Sequence, residues 1–152
     1  MAEPTTNIRH LVKDAFIQLL RDHPALAGVQ VEYGWPGDML EADSIFVAGC
    51  DGNTEVPHMK SGRRHRQDDF TMTVVVQAGL VGDTDPADTE TRAAELLTAI
   101  DDTLADYPTL NDLPGLQDFG EQMRIDGPNT YRTKQGCISF YLCEIDAATR
   151  YQ

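Results

Sequence analysis

The sequence predicts an α+β protein: a two-layer sandwich with two helices packed on one face of a mostly antiparallel sheet of about five strands, mixed pairing being allowed. Three observations predict it. Two stretches carry apolar residues at helical spacing, and five carry strand-like runs. The order is helix, strand, strand, strand, helix, strand, strand with short turns between, which is the blockwise order of an α+β fold. A chain of 152 residues is close to one typical domain and buries roughly two thirds of its unfolded surface. A single domain over 1–152 is expected, with a basic loop projecting at about 56–67.

The first helix rests on Ile8, Leu11, Val12, Ala15, Phe16, Leu19 and Leu20, which recur every three or four residues, while Arg9, Lys13, Asp14, Gln18 and Arg21 take the other side. Thr5 or Thr6 is expected to cap it, and Pro24 stops it near Asp22. Val29, Val31, Tyr33 and Trp35 then alternate with Gln30, Glu32 and Gly34, the period of a strand with one buried face. Trp35 precedes Pro36 and is therefore held extended. A Pro36-Gly37-Asp38 turn leads to a second strand, Ser44 to Cys50, closed by Asp51-Gly52-Asn53. The third strand, Phe70 to Ala78, places Phe70, Met72, Val74, Val76 and Ala78 on one side and Thr71, Thr73, Val75 and Gln77 on the other.

Asp85-Pro86-Ala87-Asp88 combines a capping Asp, a proline at the first helical position and an acid in the first turn, so a second helix starts there. Its core face is Ala93, Leu96, Leu97, Ile100 and Leu104, and Tyr107-Pro108 closes it. After a loop at Asn111 to Gln117, strands are expected over Phe119 to Asp126 and Gly136 to Ile145, with Gly127-Pro128-Asn129 beginning the connection. The uncovered sheet face, with Thr71, Thr73, Gln77, Gln30 and Glu32, is only moderately polar and available to a neighbouring subunit.

Charge is distributed unevenly. The formal net charge is −13, yet four of the twelve Lys and Arg residues, Lys60, Arg63, Arg64 and Arg66, fall with His58 and His65 between Val56 and Asp68. Gly62 and Ser61 break any helix there, and so polar a tract cannot bury itself; it reads as an arm that meets an acidic partner. Asp101, Asp102 and Asp106 sit in the C-terminal half of the second helix, where its dipole disfavours them by about 0.3–1 kcal/mol each; they read as an acidic face kept for a contact. A molecule this anionic repels polyphosphate, which argues against general nucleic-acid binding, and the tract lacks the aromatics that usually accompany phosphate contacts. A regulatory or nucleic-acid-binding module using Arg63, Arg64 and Arg66 is the weaker alternative.

No motif of catalysis is present: no GxSxG elbow, no phosphate-binding glycine loop, no HExxH. Asp101, Asp102, Asp118, Glu121 and Asp126 could gather around a hard cation as in a metal-dependent hydrolase, but chance clustering among so many acids explains them better. Neither a metal nor any other cofactor is expected. Cys50, Cys137 and Cys143 show no CxxC spacing and read as buried thiols. The start of the chain lacks a signal-peptide core and no run reaches membrane-span length, so a cytoplasmic protein that does not meet a membrane is expected.

Nearly the whole chain, through "HPALAGVQVEYGWPGD", the basic arm before "DDFTMTVVVQAG", and "DTETRAAELLTAIDDTLADYPTL" followed by a closing β pair, resembles the tail terminator proteins of long-tailed, siphovirus-type bacteriophages. The pieces that carry the resemblance most are Val31-Glu32-Tyr33-Gly34-Trp35-Pro36 and the junction around Arg63 to Thr73. The resemblance implies a structural, non-enzymatic virion protein that forms a hexameric ring, caps the tail tube and stops its polymerisation. It implies the major tail tube protein and a head-completion or connector protein as partners, and DNA passing through the ring without specific binding. The place implied is the host cytoplasm during assembly and then the tail-neck junction of the virion. Lys60, Arg63, Arg64, Arg66, Trp35, Asp101, Asp102 and Asp106 are the contact residues expected on this reading. A different neck component, a head-completion or head–tail connector protein, is the nearest alternative.

Overall fold

A computed structural model describes residues 4–55 and 66–151. Helix α1 (Arg9–Arg21) buries Val12, Phe16, Ile17 and Leu20, together with Ile8 just before it. Ile17 takes the place expected for Leu11, which is 40% exposed, because the stripe turns toward the second helix and sheet. Neither Thr5 nor Thr6 caps this helix: its N-cap position is Ile8, without a side-chain cap, and the Arg9 N–H is taken instead by Asn7 Oδ1 at 3.0 Å.

Strand β1 (Gln30–Glu32) is much shorter than the expected Val29 to Trp35. Only Val31 is buried on it; Tyr33 and Trp35 leave the sheet and are 40% and 64% exposed. Strand β2 (Ser44–Glu55) continues through Asp51-Gly52-Asn53 instead of turning there. Gly52 lies so close to the backbone of Asp69 and Phe70 that a Cβ would collide with it, so this glycine serves close strand approach. Strand β3 (Arg66–Val81) starts four residues before the expected Phe70. Arg66 and Gln67, expected in the projecting loop, thus belong to the sheet. Lys60, Arg63 and Arg64 lie outside the described residues.

Helix α2 (Pro86–Asp106) starts as its sequence dictates, Asp85 accepting the Ala87 N–H at 3.0 Å. It buries Ala93, Leu96, Leu97 and Ile100 of the expected stripe, with Thr89, Ala99 and Thr103 beside them, while Leu104 is only partly buried. Strands β4 (Leu116–Arg132) and β5 (Gly136–Tyr151) are both longer than expected. The Gly127-Pro128-Asn129 turn is in fact a register shift inside β4, between Asp126 and Asn129, and the chain reverses at Thr133 to Gln135 instead. Gly120, at φ +77°, lets a second irregularity of β4 lie under Leu104, whose Cδ2 would be 2.7 Å from an added Cβ.

The five strands form one sheet in the order β1-β2-β3-β5-β4. β1 pairs parallel with β2 and every other pair is antiparallel. The register sets Phe70, Met72, Val74 and Val76 beside Ala147, Ile145, Cys143 and Tyr141, and the sheet face carrying them is covered by both helices. The core closes with Phe16 of α1 against Phe119 of β4, ring centroids 5.3 Å apart. The expected α+β sandwich, with mixed pairing confined to β1, is the fold of this chain.

Candidate functional site: the uncovered sheet face

Alternation along β3 and β5 sends Phe70, Met72 and Val74 to the helices and therefore sends Thr71, Thr73, Val75 and Gln77 to the other face, where no element among the described residues covers them. Opposite those residues stand Asp146, Glu144, Leu142 and Phe140. All eight side chains are partly exposed. The face divides into two chemical halves along the strands, each half drawing residues from β2, β3, β5 and β4.

One half is apolar. Trp35 folds over the end of β2 and meets Phe46 edge-on, with centroids 5.2 Å apart and an interplanar angle of 69°, which leaves Phe46 only 6% exposed. Phe140 stacks on Tyr131 of β4 at 5.7 Å, and Val75 and Leu142 lie between these aromatic pairs. The exposed aromatic edges of Trp35 and Tyr131 are of the kind that anchors protein interfaces.

The other half is acidic. A trough of about 610 Å³ is lined by Asp51, Asp69, Asp118, Glu121 and Asp146, and no Lys or Arg stands among its described lining residues. Asp146 is held by the Thr71 hydroxyl, which donates to it at 2.8 Å. Partial burial, then the neighbouring Glu121, push the Asp118 carboxyl above the ordinary carboxylate range. The carboxylates here repel one another, and on the adjoining side Arg124 stands opposite Glu144 and lines a neighbouring hollow with Asp146.

The expected contact residues are not brought to one place. Trp35 is on the rim of the uncovered face, and Arg66 is exposed at the start of β3, paired with Tyr151. Asp101, Asp102 and Asp106 are exposed on α2, in the opposite layer. Asp102 lies 3.7 Å from His23 Nε2, and partial burial, then the Asp102 charge, raise Asp101. Of the five acids considered for a cation, Asp118 and Glu121 line the trough, Asp126 is exposed further along β4 opposite Leu142, and Asp101 and Asp102 are on α2. Among the described residues no group of three potential ligands is arranged to hold a metal.

Sequence reasoning missed one residue altogether. Asp68, at the edge of the basic tract, is completely buried. Its carboxylate receives Arg9 Nε and Nη2, both at 2.7 Å, and Asn7 Nδ2 at 3.0 Å, with Thr54 Oγ1 at 3.2 Å. This cluster fastens the start of α1 to β2 and β3. Only its phase with Phe70, two residues on along the strand, could have marked it as inward-facing; in the sheet it stands opposite the buried Thr149.

Cys137 and Cys143 are buried and Cys50 is partly buried. Burial, aided by Asp101, pushes the Cys143 thiol up to about 12, and burial also raises Cys50. Thiolate is the reacting form. At pH 8 Cys143 is therefore expected to resist iodoacetamide in the folded protein and to react fully after urea unfolding, as read by intact mass. Rapid native labelling at Cys143 would contradict its burial.

No model of a known protein family matches the sequence, and no curated protein matches it. Among solved structures, a chain of the "Virion of native gene transfer agent (GTA) particle" is similar in fold, with a TM-score of 0.54 over 91% of this chain and 94% of that chain at 17% sequence identity. What the two share is the sandwich itself. Among the described residues, no helix is long and apolar enough to cross a membrane.

Proposed function

We propose that this chain is a structural, non-enzymatic protein of a phage-like particle, and in particular a tail terminator: a ring-forming subunit, hexameric when assembled, that caps a tail tube and offers a joining surface to the head. The observation that carries the reading is the uncovered sheet face, half aromatic and half acidic, on a sandwich whose fold recurs over nearly its full length in a virion chain. A structural subunit needs such unsatisfied faces, and a heterologous contact between unlike patches closes into a ring when the rotation permits. The acidic α2 face at Asp101, Asp102 and Asp106, the cations Lys60, Arg63, Arg64 and Arg66, and Trp35 are the proposed contacts. The charge of −13 suits a channel that lets DNA slide without holding it. The tail tube protein and a head-completion protein are the proposed partners.

The test is charge reversal. Arg63→Glu, Arg64→Glu and Arg66→Glu together are expected to shift the melting temperature by no more than about 2 °C, since substitutions within a polar, charged tract usually change stability by about 0.5 kcal/mol or less. On the proposed contact the same change is expected to abolish ring formation in mass photometry and to leave overlong or unjoined tails in electron micrographs. The parent's own association is expected to weaken as salt rises. A triple variant that folds and still terminates tails normally removes the tract from the mechanism, and a parent that never joins tail tubes removes the terminator reading.

A further inference from the structure

The apolar half of the uncovered face gathers the side chains that stand out furthest from the molecule. Val81 is 81% exposed, Met39 77%, Trp35 64% and Tyr131 59%, whereas the other exposed large apolar residues lie near 40%. Exposed apolar residues scattered singly need no explanation, but a patch does. Val81, Met39 and Tyr131 surround the end of the sheet where β3 meets the start of β5. There a hollow of about 260 Å³ is lined by Leu40, Ala42, Leu80, Val81 and Ile138, with Tyr131 opposite Ile138 in the register and Met39 on the loop that forms the other wall. The rim carries both signs of charge. Asp38 and Glu41 belong to the loop wall, and Arg132 and Lys134 to the turn wall; all four are exposed, and none is in an ion pair among the described residues.

We propose that this end of the sandwich is a pairing surface for a second copy of this chain, set end to end by a half-turn. Chain length excludes an occupant from elsewhere in the same sequence. Roughly 45 Å of strand separates Val81 from Gln67 at the far end of β3. Residues 56–65 are tied there at both ends, to Glu55 and Arg66, and ten residues that must return extend no more than about 20 Å. Pro4 lies beside Gly115 and Arg150 at that same far end, and Gln152 follows Tyr151, the partner of Arg66. Charge decides between a copy and a different protein. A surface of one sign is drawn to one wall and repelled by the other, whereas a copy turned by a half-turn sets its basic wall against Asp38 and Glu41 and its acidic wall against Arg132 and Lys134. The end-to-end arrangement also holds the two acidic troughs at opposite extremes of the pair. Side chains exposed to this degree around the hollow present on the order of 400 Å². A stable pair buries roughly 800 Å² on each side, and the charged rim and hollow supply the remainder. Permanent contacts between copies are, moreover, the more apolar class of interface. A half-turn contact pairs subunits, or pairs rings, so the inference does not rest on the ring reading and leaves head-to-tail contacts to other surfaces.

Two wall variants test this. Asp38→Lys with Glu41→Lys makes both walls basic, and Arg132→Glu with Lys134→Glu makes both acidic. In sedimentation equilibrium the parent is expected to rise from the monomer mass of 16.8 kDa toward twice that mass as concentration increases. Each variant alone is expected to stay at the monomer mass over the same range, with a parent-like melting temperature. An equimolar mixture is expected to pair as the parent does, because every basic wall then meets an acidic one. Val81→Asp, which sets a charge at the hollow, is expected to weaken the parent's pairing about tenfold or more. A parent that is monomeric at every concentration, a wall variant or Val81→Asp that pairs as the parent does, or a mixture that stays monomeric overturns the inference. A parent that pairs in this way but never joins tail tubes leaves the inference standing and removes the terminator reading.

Discussion

Replacing Phe16 with alanine is expected to cost about 3–5 kcal/mol, the usual penalty for emptying a fully buried aromatic site. Phe16 is completely buried and its ring tilts at 54° against Phe119, so the substitution removes the contact through which α1 reaches β4 across the core. For a domain of this size the loss corresponds to a fall of roughly 10 °C in melting temperature. Leu11→Ala on the same helix serves as the control, since Leu11 is 40% exposed and its loss is expected to cost well under half as much. Urea denaturation of both variants measures the difference. Equal costs would mean that the helix stripe had been turned the wrong way.

That stripe shows how far sequence patterns carry. Period-2 alternation along Phe70 to Ala78 is legible because one face meets helices and the other does not, and burial follows it without exception. The start of α2 is legible because Asp85 and Pro86 act locally. The ends of the strands are not. Asp51-Gly52-Asn53 has the composition of a turn, but β3 lies alongside and its backbone pairs with all three residues, so tertiary pairing overrides local preference. Gly127-Pro128 reads as a chain reversal for the same reason. β4 is an edge strand on which an irregularity can be absorbed, and it resumes its pairing with β5 at Asn129.

The candidate site was legible only in part, because a face is made by residues far apart in sequence. Thr71, Thr73 and Gln77 could be assigned to the uncovered face from alternation alone. The acidic trough could not, since it joins Asp51 of β2, Asp69 of β3, Asp118 of β4 and Asp146 of β5, which come together only through the strand order. Trp35 looked like an inward strand residue by its phase with Val31. It lies instead over Phe46, because β1 ends at Glu32 and the chain then bends across the sheet.

The cluster around Asp68 supports the second large effect, and its sign with pH follows from the groups involved. Hydrogen bonding from Arg9 holds the Asp68 carboxyl below the ordinary carboxylate range against the opposing cost of burial, with Asn7 and Thr54 assisting. The folded protein therefore binds a proton at Asp68 less readily than the unfolded chain, whose carboxyl titrates near roughly 3.9. The stability this contributes is fully present above that value and is lost as pH falls through the folded one. Arg9→Met strands a carboxylate that has no exposure to water, and breaking a buried pair in this way costs about 3 kcal/mol or more. Asp68→Asn is expected to be milder, near 1–2 kcal/mol, because Arg9 keeps a side-chain exposure of 26% and can turn to solvent while Asn7 and Thr54 retain an oxygen to bond. Chemical denaturation from pH 7 down to pH 3 is expected to show the gap between the parent and Arg9→Met closing with acidity, as the stranded carboxyl takes up its proton. A gap that stays constant across that range would mean that Arg9 acts by packing over Phe70, whose ring centroid lies 5.2 Å from its guanidinium carbon, and that the charge of Asp68 is incidental.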